Sequence, residues 1–157
     1  MCQTIQTDFF DNVTKVSGPT GDYIYEYDTG GKLISAQDCL SNVAVFYDYD
    51  EKGRCIQKKS SSFDFNYEYE ENSDLLKTLS EKNSNFQVDF VYKNGLETQR
   101  SFNNGIKVET CYDDKNRKIS TKTYTPYGIV SLAEFITYDD NDRITNVVDK
   151  DGNEIEY

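Results

Sequence analysis

One short pattern recurs along this chain and constrains its fold more than any other feature. A tyrosine and an aspartate are followed by two polar residues, then Gly, Asn or Asp, then usually a basic side chain. It stands at Tyr27-Asp28-Thr29-Gly30-Gly31-Lys32, Tyr49-Asp50-Glu51-Lys52-Gly53-Arg54, Tyr112-Asp113-Asp114-Lys115-Asn116-Arg117 and Tyr138-Asp139-Asp140-Asn141-Asp142-Arg143. Tyr69-Glu70-Glu71-Asn72-Ser73-Asp74 is a looser copy, and Asp149-Lys150-Asp151-Gly152 repeats the turn without its tyrosine. The residue types fit a hairpin turn. Asp opening a type I turn accepts a bond from the backbone two residues on. The fourth turn position needs a positive φ, which Gly adopts without strain and Asn and Asp tolerate best among other residues.

Between these turns the chain alternates with period two. Tyr23, Tyr25 and Tyr27 interleave with Asp22, Ile24 and Glu26; Phe63, Phe65, Tyr67 and Tyr69 with Asp64, Asn66 and Glu68. Phe86, Val88, Phe90 and Tyr92 interleave with Gln87, Asp89 and Val91; Ile106, Val108, Thr110 and Tyr112 with Lys107, Glu109 and Cys111. That is strand periodicity, with one apolar and one wet face. Only Leu75–Leu79 is ambiguous between helix and strand. Asn94-Gly95 marks a two-residue hairpin, and turn residues at 18–21, 40–42, 83–85, 103–105 and 126–128 supply the other reversals.

The tyrosine before the turn recurs at 27, 49, 69, 92, 112 and 138, at spacings of 22, 20, 23, 20 and 26. Twenty to 26 residues make two strands and two turns, a unit that buries its apolar face only by stacking on neighbours. The pattern predicts a single all-β domain over 1–157, an antiparallel meander of about thirteen strands. Thr7 to Val16 is expected to open the array and Asn153 to Tyr157 to close it. An aromatic face must leave water, so the sheet is expected to roll into a curved or barrel-like form, with a two-layer sandwich as the alternative. A globular domain of 157 residues should bury about 68–70% of its unfolded surface.

Composition narrows the chemistry. The net charge is −11, from 28 acidic and 17 basic residues. That balance argues against nucleic acid and against anionic membranes, both of which need cationic contacts. There is no His, which removes most nucleophile–base pairs and the commonest metal ligand. Cys2, Cys39, Cys55 and Cys111 lack the paired spacing of zinc sites. The stretch Asp48–Gly53 loosely imitates a calcium loop, but Lys52 and Lys59 occupy positions that need oxygen ligands. No metal, no cofactor and no catalytic residue is therefore expected. No apolar run reaches the ~20 residues of a membrane-spanning helix.

The Tyr-Asp-x-x-Gly-Arg pattern resembles the YD repeat of the rearrangement-hotspot (RHS) family, most closely at "YDTGGKLI" (27–34) and "YDEKGRCI" (49–56). "YDDKNRKI" (112–119) and "YDDNDRIT" (138–145) resemble it less strictly, and the likeness extends from about Tyr23 to the end. The chain is also similar to small secreted proteins of gut bacteria that carry a few such repeats. The resemblance implies a spiralling repeat sheet, with no catalytic residue. This chain has too few repeats to close a shell, no payload domain, and no aspartyl-protease-like segment of the kind large members use for self-cleavage.

Three functions are weighed; an enzyme, which without His would need a glycosidase-type carboxylate pair, is set aside because nearly every Asp is explained by a turn and most Glu fall on outward strand positions. The first is a non-catalytic binding or structural module acting outside the cytoplasm of a bacterium, in the periplasm or at the cell surface. Its Tyr-rich face, with Tyr25, Tyr47, Tyr67 and Tyr92 as candidates, would take a peptide or glycan partner. The second is an acidic cytoplasmic antagonist, of the immunity type, of a basic protein. Cys2 directly after Met1 is read as a possible lipoprotein remnant, and the edge strands as a route to self-association.

Overall fold

In the computed structural model, which describes residues 3–157, the chain is entirely β-strand and turn. The first strands are β1 (Thr4–Thr7), β2 (Val13–Gly18), β3 (Gly21–Tyr27), β4 (Leu33–Asp38) and β5 (Val43–Tyr49). They are followed by β6 (Cys55–Lys59), β7 (Asp64–Tyr69), β8 (Leu76–Glu81), β9 (Phe86–Lys93) and β10 (Leu96–Phe102). The last are β11 (Lys107–Tyr112), β12 (Lys118–Tyr124), β13 (Val130–Tyr138), β14 (Ile144–Asp149) and β15 (Glu154–Glu156). Sheet order follows chain order from β1 to β15, so hydrogen bonding leaves the meander open and does not close it into a barrel.

Among the described residues the strands number fifteen, against about thirteen expected. Residues 7–16 are not one opening strand: Asp8–Asn12 is a turn between β1 and β2, although Phe9 and Phe10 make it look apolar. Those rings have no core to enter and stand 94% and 77% exposed. The ambiguous Leu75–Leu79 segment falls in β8, and Cys2 lies outside the described residues.

The recurring motif is a turn of constant geometry. At 28–32, 50–54, 113–117 and 139–143 the aspartate N–H donates to the carbonyl of the fifth residue, and the fourth residue's N–H returns a bond to the aspartate carbonyl. The same frame serves 8–12, 102–106, 125–129 and 149–153. The fourth residue always has positive φ, from 63° at Asn116 to 87° at Gly105. In the YD turns the aspartate Oδ1 also accepts the fifth residue's N–H, at 2.8–2.9 Å. Where that residue is Arg, the guanidinium pairs with Oδ2 at 2.7–2.9 Å, at Asp50–Arg54, Asp113–Arg117 and Asp139–Arg143.

The tyrosine has its own task. Each YD turn throws a one-residue bulge between the tyrosine and the residue before it. The tyrosine hydroxyl then donates to a carbonyl at the start of the preceding strand: Tyr27 to Val13, Tyr49 to Leu33, Tyr112 to Glu97 and Tyr138 to Lys118, at 2.7–3.0 Å. That carbonyl sits where two hairpins meet. The phenol latches each hairpin to the one before it. Basic residues reinforce the latch, since Lys32 lies over the Tyr49 ring at 5.5 Å and Arg117 over the Tyr138 ring at 4.5 Å. Tyr49→Phe removes one such bond and is expected to cost about 1 kcal/mol. Urea unfolding reads this directly, and an unchanged midpoint would mean that water serves Leu33 equally well.

The chain divides into two compact units, residues 1–68 with 80–85, and residues 69–79 with 86–157. Within each, strands touch only their sheet neighbours among the described residues. Little is therefore buried. Val88, at 4% exposure, and Ile136, at 7%, are the buried hydrophobic residues among those described. The accessible surface is 10897 Å², where a globular monomer of 18.1 kDa would show about 8,100 Å². Measured against an unfolded chain of about 26,000 Å², roughly 58% is removed from water. That falls short of the 68–70% expected from length, and the missing second layer is the reason.

Candidate functional site

The register of the first unit gathers most of its strand aromatics on one face, Phe46 being placed on the other. Tyr25 opposes Ala36, which opposes Val45. Tyr47 opposes Lys58, which opposes Phe65. Because side chains alternate along each strand, Tyr23, Tyr25, Val43, Val45, Tyr47, Phe65 and Tyr67 share this face, while Asp22, Glu26, Gln37, Asp48 and Gln57 take the other. Of the four tyrosines expected at a site, Tyr25, Tyr47 and Tyr67 are thus brought onto one surface. All three are half-buried. Tyr92 belongs to the second unit, where its hydroxyl is committed to the Leu76 carbonyl at 2.9 Å and its ring stacks on Phe90 at 6.5 Å. Burial pushes the Tyr92 phenol above its ordinary pKa, so it stays a donor.

Two further features of this face were not evident from sequence. An open groove lined by Tyr23, Tyr25, Ala36, Val43 and Val45 runs beside the Asp38–Ser41 turn. Next to it the Lys58 ammonium rests over Tyr47 at 5.8 Å and Phe63 at 6.0 Å, and Phe63 packs on Phe65 with centroids 5.5 Å apart. The signal for Lys58 lay in period two: it is the inward position of β6, a basic residue where its neighbours carry rings.

The interior strands spend their backbone groups on one another, so the face presents side chains alone. The aspartates of the YD turns are engaged within their own turns. Asp113 and Asp139 are held below their ordinary pKa first by the amides of Arg117 and Arg143, then by the guanidinium groups. Asp38 accepts from the Leu40 and Ser41 amides and the Ser41 hydroxyl. Among the described residues no cluster of acidic and cysteine side chains has the makings of a metal site.

One acid is unlike the rest. Glu81, at 7% exposure, accepts the amide hydrogens of Asp64 and Asn83 at 3.0 and 3.1 Å on Oε1 and that of Ser84 on Oε2. The Ser84 hydroxyl and these amides lower its pKa to about 2. It ties the start of β7 to the turn after β8. Sequence reasoning missed it because the partners are backbone amides that only the fold assembles.

These observations define antiparallel hairpin repeats hydrogen-bonded in chain order, each unit's strands touching only their sheet neighbours among the described residues. No family model matches the chain, and no curated protein matches it. Solved structures do. The chain resembles the crystal structure titled TcdB2-TccC3-Cdc42 with a TM-score of 0.84 at 11% identity, covering 98% of this chain and 10% of that one. It matches TcdB2-TccC3 without its hypervariable C-terminal region with a TM-score of 0.83 at 12% identity, over 98% of this chain and 9% of that one. The Photorhabdus luminescens Tc holotoxin pore matches with a TM-score of 0.80 at 12% identity, with the same coverage of 98% and 9%. The likeness is one of fold, and this chain spans about a tenth of the length of those chains.

Proposed function

We propose that the chain is a non-catalytic structural module of the YD-repeat type, acting outside the cytoplasm, whose Tyr25–Tyr47–Tyr67 face is covered by another polypeptide. The observation that carries this reading is the half-exposed aromatic face of a sheet with no second layer. Burying such a face stabilises by about 25 cal/mol per Å², a gain the isolated sheet forgoes. A polypeptide suits it better than a glycan. Val43, Val45, Phe63 and Phe65 offer no hydroxyl to a sugar, whereas they match apolar side chains. Catalysis has little to work with, since the turn aspartates are engaged in their own turns.

The test is a photo-crosslinking residue at position 47, compared with one at position 57 on the opposite face, in source cells. Position 47 is expected to yield roughly fivefold more polypeptide adduct, in the extracytoplasmic fraction. Equal labelling at both positions sinks the proposal; a saccharide adduct moves the partner to a glycan.

A second reading, the acidic antagonist, is favoured by one observation: Cys39 and Cys111 are exposed thiols outside any disulfide, as suits a reducing compartment. Recovery of the full-mass protein in the cytoplasm, bound to a basic partner in a salt-sensitive complex, would select it.

A further inference from the structure

The chain contains two Asn-Gly pairs, Asn94-Gly95 and Asn104-Gly105, and the second unit holds them in opposite ways. An asparagine side-chain amide is open to attack by the backbone nitrogen of the next residue, and glycine, lacking Cβ, shields that nitrogen least. Reaction requires a nitrogen not engaged in a hydrogen bond and a side chain able to swing over it.

At 104–105 both conditions fail. The Gly105 N–H donates to the Phe102 carbonyl at 2.9 Å, and Asn104 Oδ1 accepts from the Ile106 N–H at 3.0 Å. Pro126 packs so closely that a Cβ on Gly105 would lie 2.8 Å from it. At 94–95 both conditions hold. Asn94 and Gly95 are the two residues of the β9–β10 turn, with φ of 53° and 79° and Lys93 paired to Leu96. Both are exposed, and nothing lies within 4 Å of where a Gly95 Cβ would stand. Among the described residues, neither the Gly95 N–H nor the Asn94 side chain has a hydrogen-bond partner.

We propose that Asn94 is a site of spontaneous covalent modification, selective over Asn104. The Gly95 nitrogen gives up its proton and forms a bond to Asn94 Cγ; the Cγ–NH₂ bond breaks and ammonia leaves. The resulting five-membered imide takes up one water and opens to aspartate or isoaspartate, with no change of oxidation state. Aspartate tolerates positive φ and leaves the turn in place while adding a negative charge. Isoaspartate lengthens the backbone of a two-residue turn by one carbon. It thereby disturbs the pairing of Tyr92 with Glu97 and loosens the strand that carries Val88.

Trypsin separates the two sites, releasing residues 94–100 after Lys93 and residues 101–107 after Arg100. The folded protein is incubated at mildly alkaline pH in ¹⁸O water and digested in ordinary water, and each peptide is followed for the mass gain of about 3 Da that replacement of the amide by one ¹⁸O brings. The 94–100 peptide is expected to convert roughly tenfold faster, because two hydrogen bonds must first be given up at Asn104. In denaturant the ratio should fall to near one. Equal rates in the folded protein overturn the proposal. So does an Asn94 that converts only when the chain is unfolded, which would mean that the turn protects it.

Discussion

Replacing Glu81 by Gln lowers the unfolding midpoint at pH 7 by roughly 5–10 °C, the largest effect expected from a single carboxylate in this chain. Gln keeps the size but loses the charge that three amides and a hydroxyl point toward, and its NH₂ cannot accept where Oε2 did. The dependence on pH follows from the depressed pKa. In the folded protein Glu81 titrates at about 2, below its ordinary 4.5, so its contribution is whole above pH 4.5 and disappears as pH falls toward 2. Other acids such as Asp113 and Asp139 also have lowered values, but they are common to both proteins. The difference between wild type and variant therefore isolates Glu81. Thermal melts from pH 7 to pH 2 should converge below pH 4.5; a gap that stays constant would show that the charge has no part in the staple.

The Gly105→Ala variant is expected to lose about 2–4 kcal/mol, against about 1 kcal/mol for Gly152→Ala. Both residues close the same kind of turn, at φ of 87° and 84°, so the strain of a left-handed alanine is common to both. They differ in surroundings. A Cβ on Gly152 meets nothing within 4 Å, whereas one on Gly105 lies 2.8 Å from Pro126 Cβ and 3.2 Å from its Cα. Backbone at that distance cannot step aside as a flexible side chain would. Urea unfolding of the two variants separates strain from collision, and equal losses would remove the collision.

Much of this fold is legible in the sequence because each turn states its own geometry. The positive φ at Gly31, Gly53, Asn116, Asp142 and Gly152 falls where the tetrad pattern puts it. The turn at Asp8–Asn12 was missed because no tyrosine precedes it and two phenylalanines fill its tip; Asp8 and Asp11 were its only marks. The shortfall in burial was hidden for another reason. Period two shows that a face is apolar but not whether anything covers it. Of the candidate site, Tyr25, Tyr47 and Tyr67 could be read from alternation. Tyr92 alternates as they do but stands in the turn-preceding series with Tyr27 and Tyr49, and like them it serves as a latch. Glu81 resembles any strand glutamate until residues 64, 83 and 84 are brought around it.

The latch also has a direction. In the first unit the Tyr49 hydroxyl reaches back to Leu33 while Lys32 reaches forward over the Tyr49 ring, and in the second Tyr138 reaches back to Lys118 while Arg117 reaches forward over the Tyr138 ring. A copy of the 22 residues from Asp28 to Tyr49, inserted after Tyr49, would bring one more turn, one more phenol and one more cation already in phase. An insertion of half that length would leave a tyrosine at the wrong end of the sheet, with no carbonyl to meet. By this geometry such a sheet is expected to lengthen or shorten by whole repeats more readily than by fractions of one.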